Sequence, residues 1–139
     1  MTGYSGTPLA KKLGIKAGYR IRVINAPEYY FSLFEDMPAN VNTEQRSGLN
    51  LVHYFSTGAK ALQKDLPKLK KEIEESGMIW ISWPKKASGV ATDITEDTIR
   101  LIALSNELVD VKVCAIDEIW SGLKLVIPVK FRPSLQSKK

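Results

Sequence analysis

The chain has 139 residues, 44% of them hydrophobic, which is the size of one domain with a core large enough to need no metal or disulfide staple. Its single cysteine, Cys114, and single histidine, His53, stand far apart, so no intrachain disulfide forms and no zinc-type ligand spacing exists. The net charge of +5 is uneven: residues 1–27 and 124–139 carry ten bases and no acid, while all 15 acids fall between Glu28 and Glu118.

That asymmetry has two readings. One is complementarity within the molecule, with a solvated basic tail at 134–139. The other is an anionic partner such as nucleic acid. The bases are not interleaved with aromatic residues as single-strand binders require, so nucleic acid is the weaker reading. The start of the chain lacks the apolar core of a secretory signal. No apolar run approaches the roughly 20 residues of a membrane helix. The expectation is a cytoplasmic protein without a membrane partner.

In chain order, residues 7–13 predict a short helix, with Pro8 at its start and Gly14 after its end. Residues 19–25 centre on Ile21-Arg22-Val23-Ile24, a strand closed by Ala26-Pro27. Residues 29–34 are rich in aromatics and read as a helical turn packed on the sheet. A loop with Pro38 and Gly48 follows. Residues 49–55 form the second strand. A helix from about Thr57 buries Leu62, Leu66, Leu69 and Ile73 at helical spacing. Pro67 inside it predicts a kink or a second helix capped by Asp65, and Gly77 a stop. Residues 78–83 are almost continuously apolar, as a strand buried on both faces is. Thr95 caps the next helix, whose buried side holds Ile99, Ile102 and Ala103. Alternation through Val109, Val111, Val113 and Ala115, and again through Leu123, Leu125, Ile127 and Val129, predicts a hairpin. Its loop is read at Trp120-Ser121-Gly122, with Gly122 at positive φ. Residues 133–139 read as a frayed basic end.

Strand, helix, strand, helix, strand and hairpin specify an α/β three-layer sandwich: a mostly parallel sheet of about five strands with a C-terminal antiparallel hairpin, all within 1–133. The closing helix, strand and returning strand resemble the end of a methyltransferase-like Rossmann fold, here shortened. That resemblance implies that the last strand inserts between the third and fourth. Pro128 is at odds with a central strand unless it lies beyond the paired region.

Ligands of open parallel sheets bind beyond the carboxyl ends of the strands. The loop after the first strand reads Asn25-Ala26-Pro27-Glu28, without the glycine-rich turn that lets a backbone approach a nucleotide. No ribose-binding acid on a following strand is evident, so no conventional cofactor is expected. The loop after the third strand is the best ligand candidate. It joins Trp83, Lys85, Lys86 and Ser88 to Thr92 and Asp93, an anion site or else a solvated turn and a helix cap. Asp117, paired with Glu118 for acid–base work, and Trp120, for stacking, form the second candidate. Cys114 and His53 lie within strands and read as buried structural residues. The segment Gly3-Tyr4-Ser5-Gly6-Thr7 reads as an ordinary flexible start or as a flap over the site.

Three stretches resemble a bacterial family of unknown function, domain-of-unknown-function family 3052. They are the opening Gly3-Tyr4-Ser5-Gly6-Thr7-Pro8-Leu9-Ala10-Lys11-Lys12-Leu13-Gly14-Ile15, then Trp83-Pro84-Lys85-Lys86 with Ser88-Gly89 and Thr92-Asp93, and Val113-Cys114-Ala115-Ile116-Asp117-Glu118 with Trp120-Ser121-Gly122-Leu123. The resemblance implies a small bacterial cytosolic protein with no assigned activity. The expectation is a non-catalytic accessory module binding a small molecule or a protein, with a homodimer among the options at the sheet edge. The alternatives are an enzyme using Lys85 and Lys86 on an anionic small molecule, and nucleic-acid binding through the basic ends.

Overall fold

A computed structural model describes residues 7–136. Five strands form one sheet in the order β1-β2-β3-β5-β4: β1 Ile21–Ile24, β2 Leu49–Phe55, β3 Ile73–Pro84, β4 Val109–Ala115 and β5 Trp120–Val126. β1, β2 and β3 pair in parallel, while β5 runs antiparallel to both β3 and β4. Four strands therefore point one way and β5 alone opposes them, inserted between the third and fourth strands. β5 ends at Val126, so Pro128 falls beyond the ladder and breaks no pairing.

Each face of the sheet is covered differently. Helices α2 (Ala59–Glu72) and α3 (Glu96–Leu104) pack Leu62, Leu66, Leu69, Ile99 and Ile102 on Val52, Tyr54, Ile79, Ile81, Leu123 and Leu125. On the other face, Leu51, Met78, Trp80 and Ile116 lie under the short helix α1 (Leu9–Leu13) and the irregular β1–β2 connection, which brings Leu33, Phe34 and Met37. That connection holds a 3-10 turn, Tyr30–Leu33, where a full crossover helix would otherwise lie. The third layer is therefore thin, and the indole of Trp80 helps fix it by donating to the Leu13 carbonyl at 3.0 Å.

The structure corrects three local expectations. No second helix starts at Pro67, which lies within α2 on the exposed side together with Gln63, so the carbonyl that the proline leaves without a helical partner opens to water. Asp65 does not cap a second helix but accepts the Tyr54 hydroxyl at 2.7 Å. Gly77 does not stop α2, which ends at Glu72. It lies in β3 where the register with β2 shifts, and a Cβ there would come 2.9 Å from the Leu49 carbonyl oxygen.

The hairpin also differs. Its loop is residues 116–119, and Trp120, Ser121 and Gly122 open β5. Gly122 has no positive φ. It is small because a Cβ would meet Ile116 Cδ1 at 3.0 Å and Trp80 Cε3 at 3.1 Å. α3 begins as the sequence indicates: the Thr95 hydroxyl accepts the Thr98 N–H, and Thr98 returns the bond to the Thr95 backbone. At the other end, Pro133–Gln136 form a helical turn, α4, with the Ser134 N–H donating to Glu75 at 3.2 Å. Residues 3–6 and 137–139, part of the expected flap and tail, lie outside the described residues.

Candidate functional site

Because β1 to β4 point the same way, their carboxyl ends share one edge of the sheet. Residues 25–29, 56–58, 85–89 and 116–119 follow these ends. The residues singled out from sequence therefore sit near one edge, but the sheet separates them. Trp83 belongs to the core on the α2–α3 face and is only 8% exposed, so it presents no ring for stacking. Trp120 is half-buried on the α1 face, edge-on to Phe55 at 5.0 Å between centroids.

The polar candidates are held by backbone. Thr92 Oγ1 donates to the Thr57 carbonyl at 2.7 Å, and Asp93 Oδ1 accepts the Ala59 N–H at 2.8 Å. Asp93 thus supplies the cap that Gly58 lacks, and places a negative charge where the α2 dipole favours an anion. Ser88 Oγ donates to the Lys85 carbonyl at 2.6 Å and accepts the Val90 N–H at 3.1 Å, which closes its own turn. The buried carboxylate of Asp117 is fully engaged. Oδ1 accepts the N–H groups of Ile119 and Trp120 at 2.8 and 2.7 Å, and Oδ2 accepts the Tyr29 hydroxyl at 2.7 Å. Lys85 is tied by its backbone N–H to the Ile119 carbonyl at 2.7 Å. Among the described residues, no hydrogen bond or ion pair holds the ammonium groups of Lys85 and Lys86.

The turn after β1 is closed in a different way from a nucleotide-binding loop. Asn25 takes the left-handed conformation at φ 59, a role open to asparagine, and no full helix follows to aim N–H groups at a phosphate. Instead Tyr30 turns inward. Its ring meets Phe31, Phe34, His53 and Phe55 edge-on at 5.1 to 5.6 Å, and its hydroxyl lies 2.9 Å from His53 Nδ1. His53 Nε2 lies 2.7 Å from Ser82 Oγ. Burial pushes the His53 imidazole down to about 3 and the Tyr30 phenol up, so both stay neutral. His53 is a satisfied core histidine, as the sequence indicates.

The sequence indicates a helical turn at residues 29–34 packed on the sheet, and the structure has one, but the sequence does not show that Tyr30 alone turns inward to fill this edge. The run Tyr29-Tyr30-Phe31 was the available signal, but its partners are supplied by β2 and the β4–β5 loop. Cys114 is half-buried with its thiol pushed up by burial, which Lys12 and Lys112 only partly oppose, so the protonated thiol dominates. Among the described residues, no three His, Cys, Asp or Glu side chains gather as a metal set, and no helix is long and apolar enough to cross a membrane.

No family model and no curated protein matches the chain. Solved structures do. A SAM-dependent methyltransferase from Aquifex aeolicus is similar at TM-score 0.59 and 12% identity, over 86% of this chain and 88% of that one. Magnesium protoporphyrin IX methyltransferase from Synechocystis PCC 6803, solved with bound SAH, is similar at 0.62 and 10%, over 86% and 78%. A ribosomal protein L11 methylase from Lactobacillus delbrueckii subsp. bulgaricus is similar at 0.51 and 11%, over 86% and 74%. At such identities the likeness speaks for architecture alone. The inserted antiparallel β5, the parallel strands and these neighbours together give the chain a shortened, methyltransferase-like Rossmann fold.

Proposed function

We propose that this protein is a non-catalytic binding module, taking a small molecule or a protein, on a methyltransferase-like scaffold whose cofactor edge is filled by its own side chains. The observation that carries this reading is the packing of Tyr30 beneath the β1 turn, against His53 and Phe55, where a nucleoside cofactor needs open backbone. The engagement of Asp93, Thr92 and Asp117 supports it, since acids committed to N–H groups are poorly placed for proton transfer. On the three stretches quoted above, we read the chain as a cytoplasmic member of the bacterial family 3052.

An enzyme acting on an anionic small molecule through Lys85 and Lys86 has one observation in its favour, the uncommitted ammonium groups of those two lysines. The two acids paired with it from sequence, Asp93 and Asp117, both serve the backbone, which counts against it. Nucleic-acid binding through the basic ends is weakened by the Arg22–Glu72 ion pair at 2.6 Å, which joins the basic start to the acidic middle of the chain.

Titration calorimetry with S-adenosylmethionine and S-adenosylhomocysteine tests the reading. The expected result is no saturable heat. Binding of either tighter than about 100 μM, a free energy of about 5.5 kcal/mol, would show an open cofactor site and overturn it.

A further inference from the structure

We propose that the cleft between α1 and the edge strand β4 binds a phosphorylated small molecule. The cleft has a volume of about 490 Å³ and is lined by Thr7, Lys11, Lys12, Lys112, Cys114 and Ala115. This size lies within the range of small-ligand sites. Among the described residues three of the six that line it are lysines and none is an acid. Strand pairing sets a fourth lysine beside them: Lys124 of β5 lies directly opposite Lys112 of β4, both on the α1 face of the sheet.

Like charges placed opposite each other across strands destabilise a sheet. Three cations elsewhere are paired with acids: Arg22 with Glu72, Lys70 with Glu107, and Arg100 with Glu96, Asp97 and Asp110. Among the described residues, no acid forms an ion pair with Lys11, Lys112 or Lys124. Burial and the neighbouring Lys112 push the Lys124 ammonium below its usual pKa, a cost that a bound anion relieves.

The kind of anion follows from the donors. Lysines act as separate point charges, suited to the several oxygens of a phosphate, whereas planar carboxylate recognition favours arginine, and none of the described lining residues is one. The Thr7 hydroxyl adds a neutral donor. Among the described residues no aromatic ring lines the cleft to stack a base, which favours a small phosphorylated compound over single-stranded nucleic acid. This inference rests on the binding-module reading and gives it a place and a ligand class.

Inorganic pyrophosphate is the probe, measured by titration calorimetry at low salt against the wild type, Lys112→Gln, Lys124→Gln and Lys85→Ala. Pyrophosphate is expected to bind the wild type and Lys85→Ala alike, and each glutamine variant about tenfold more weakly. Both glutamine variants should melt at a higher temperature than the wild type without ligand, which separates lost repulsion from damaged folding. Saturating pyrophosphate should also slow iodoacetamide alkylation of Cys114 in the wild type. Absence of binding, or binding indifferent to both glutamine substitutions, overturns the proposal. So does a single-stranded oligonucleotide that binds where pyrophosphate does not. Binding of S-adenosylhomocysteine would sink the non-catalytic reading without touching this result, so the two failures are distinguishable.

Discussion

Lowering the pH should unfold this protein through one residue, His53. It is fully buried between Tyr30 and Ser82, and burial brings its pKa from an ordinary 6.5 to about 3. The native state therefore resists protonation that the unfolded chain accepts. A histidine with a depressed folded pKa costs nothing above pH 6.5 and withdraws stability as pH falls from there toward 3. At pH 5 the unfolded chain is favoured by about 2 kcal/mol relative to pH 7.5, and the full penalty below pH 3 is about 5 kcal/mol. The interval from pH 7.5 to 5 stays above the usual carboxylate range near 4, so the histidine dominates it. Urea unfolding followed by tryptophan fluorescence at pH 7.5, 6 and 5 measures the slope. His53→Phe should be less stable at every pH, because Tyr30 and Ser82 lose a partner, yet flat across this interval. A flat wild-type curve, or a variant that keeps the wild-type slope, would refute the argument.

Other substitutions probe the contacts around the strand-end edge. Asp117→Ala frees two backbone N–H groups and the Tyr29 hydroxyl, and should cost about 3 kcal/mol in urea unfolding. A loss under about 1 kcal/mol would show the carboxylate to be available for chemistry. Asp93→Ala removes the acceptor at the α2 start and should cost about 1 kcal/mol, read as a lower melting temperature. Gly122→Ala should cost about 1–3 kcal/mol, because the new methyl presses on Ile116 and Trp80. Gly58→Ala, with nothing within 4 Å of its added carbon, should stay within about 0.5 kcal/mol by the same unfolding assay.

Much of the fold was legible because local pattern and tertiary role agree. Residues 78–83 are almost continuously apolar because β3 is covered on both faces, Ile79, Ile81 and Trp83 on one and Met78 and Trp80 on the other, and that run is visible in the sequence. Thr95 caps α3 through atoms three residues away. The errors fell where a residue answers to something distant in sequence. Trp120-Ser121-Gly122 has the composition of a turn, but Gly122 is small to clear Trp80 on the adjacent strand. Pro67 looks like a helix breaker until its exposed side is known. The candidate loops were located at the correct edge, since strand direction dictates it. What their side chains do was not readable: Tyr29 and Asp117 meet across 88 residues of chain, and the lysines of the cleft come from α1 and β4.

The place of β5 also bears on how the molecule comes to be made. Its pairing partners are β3 and β4, yet β5 follows both in the chain. Until residue 126 has left the ribosome, β3 presents an open edge with Ile79 and Ile81, and β4 has no neighbour. From residue 84 to residue 126 the nascent chain therefore carries an unpaired apolar strand edge. The hairpin that ends this exposure then serves as the molecule's folding latch.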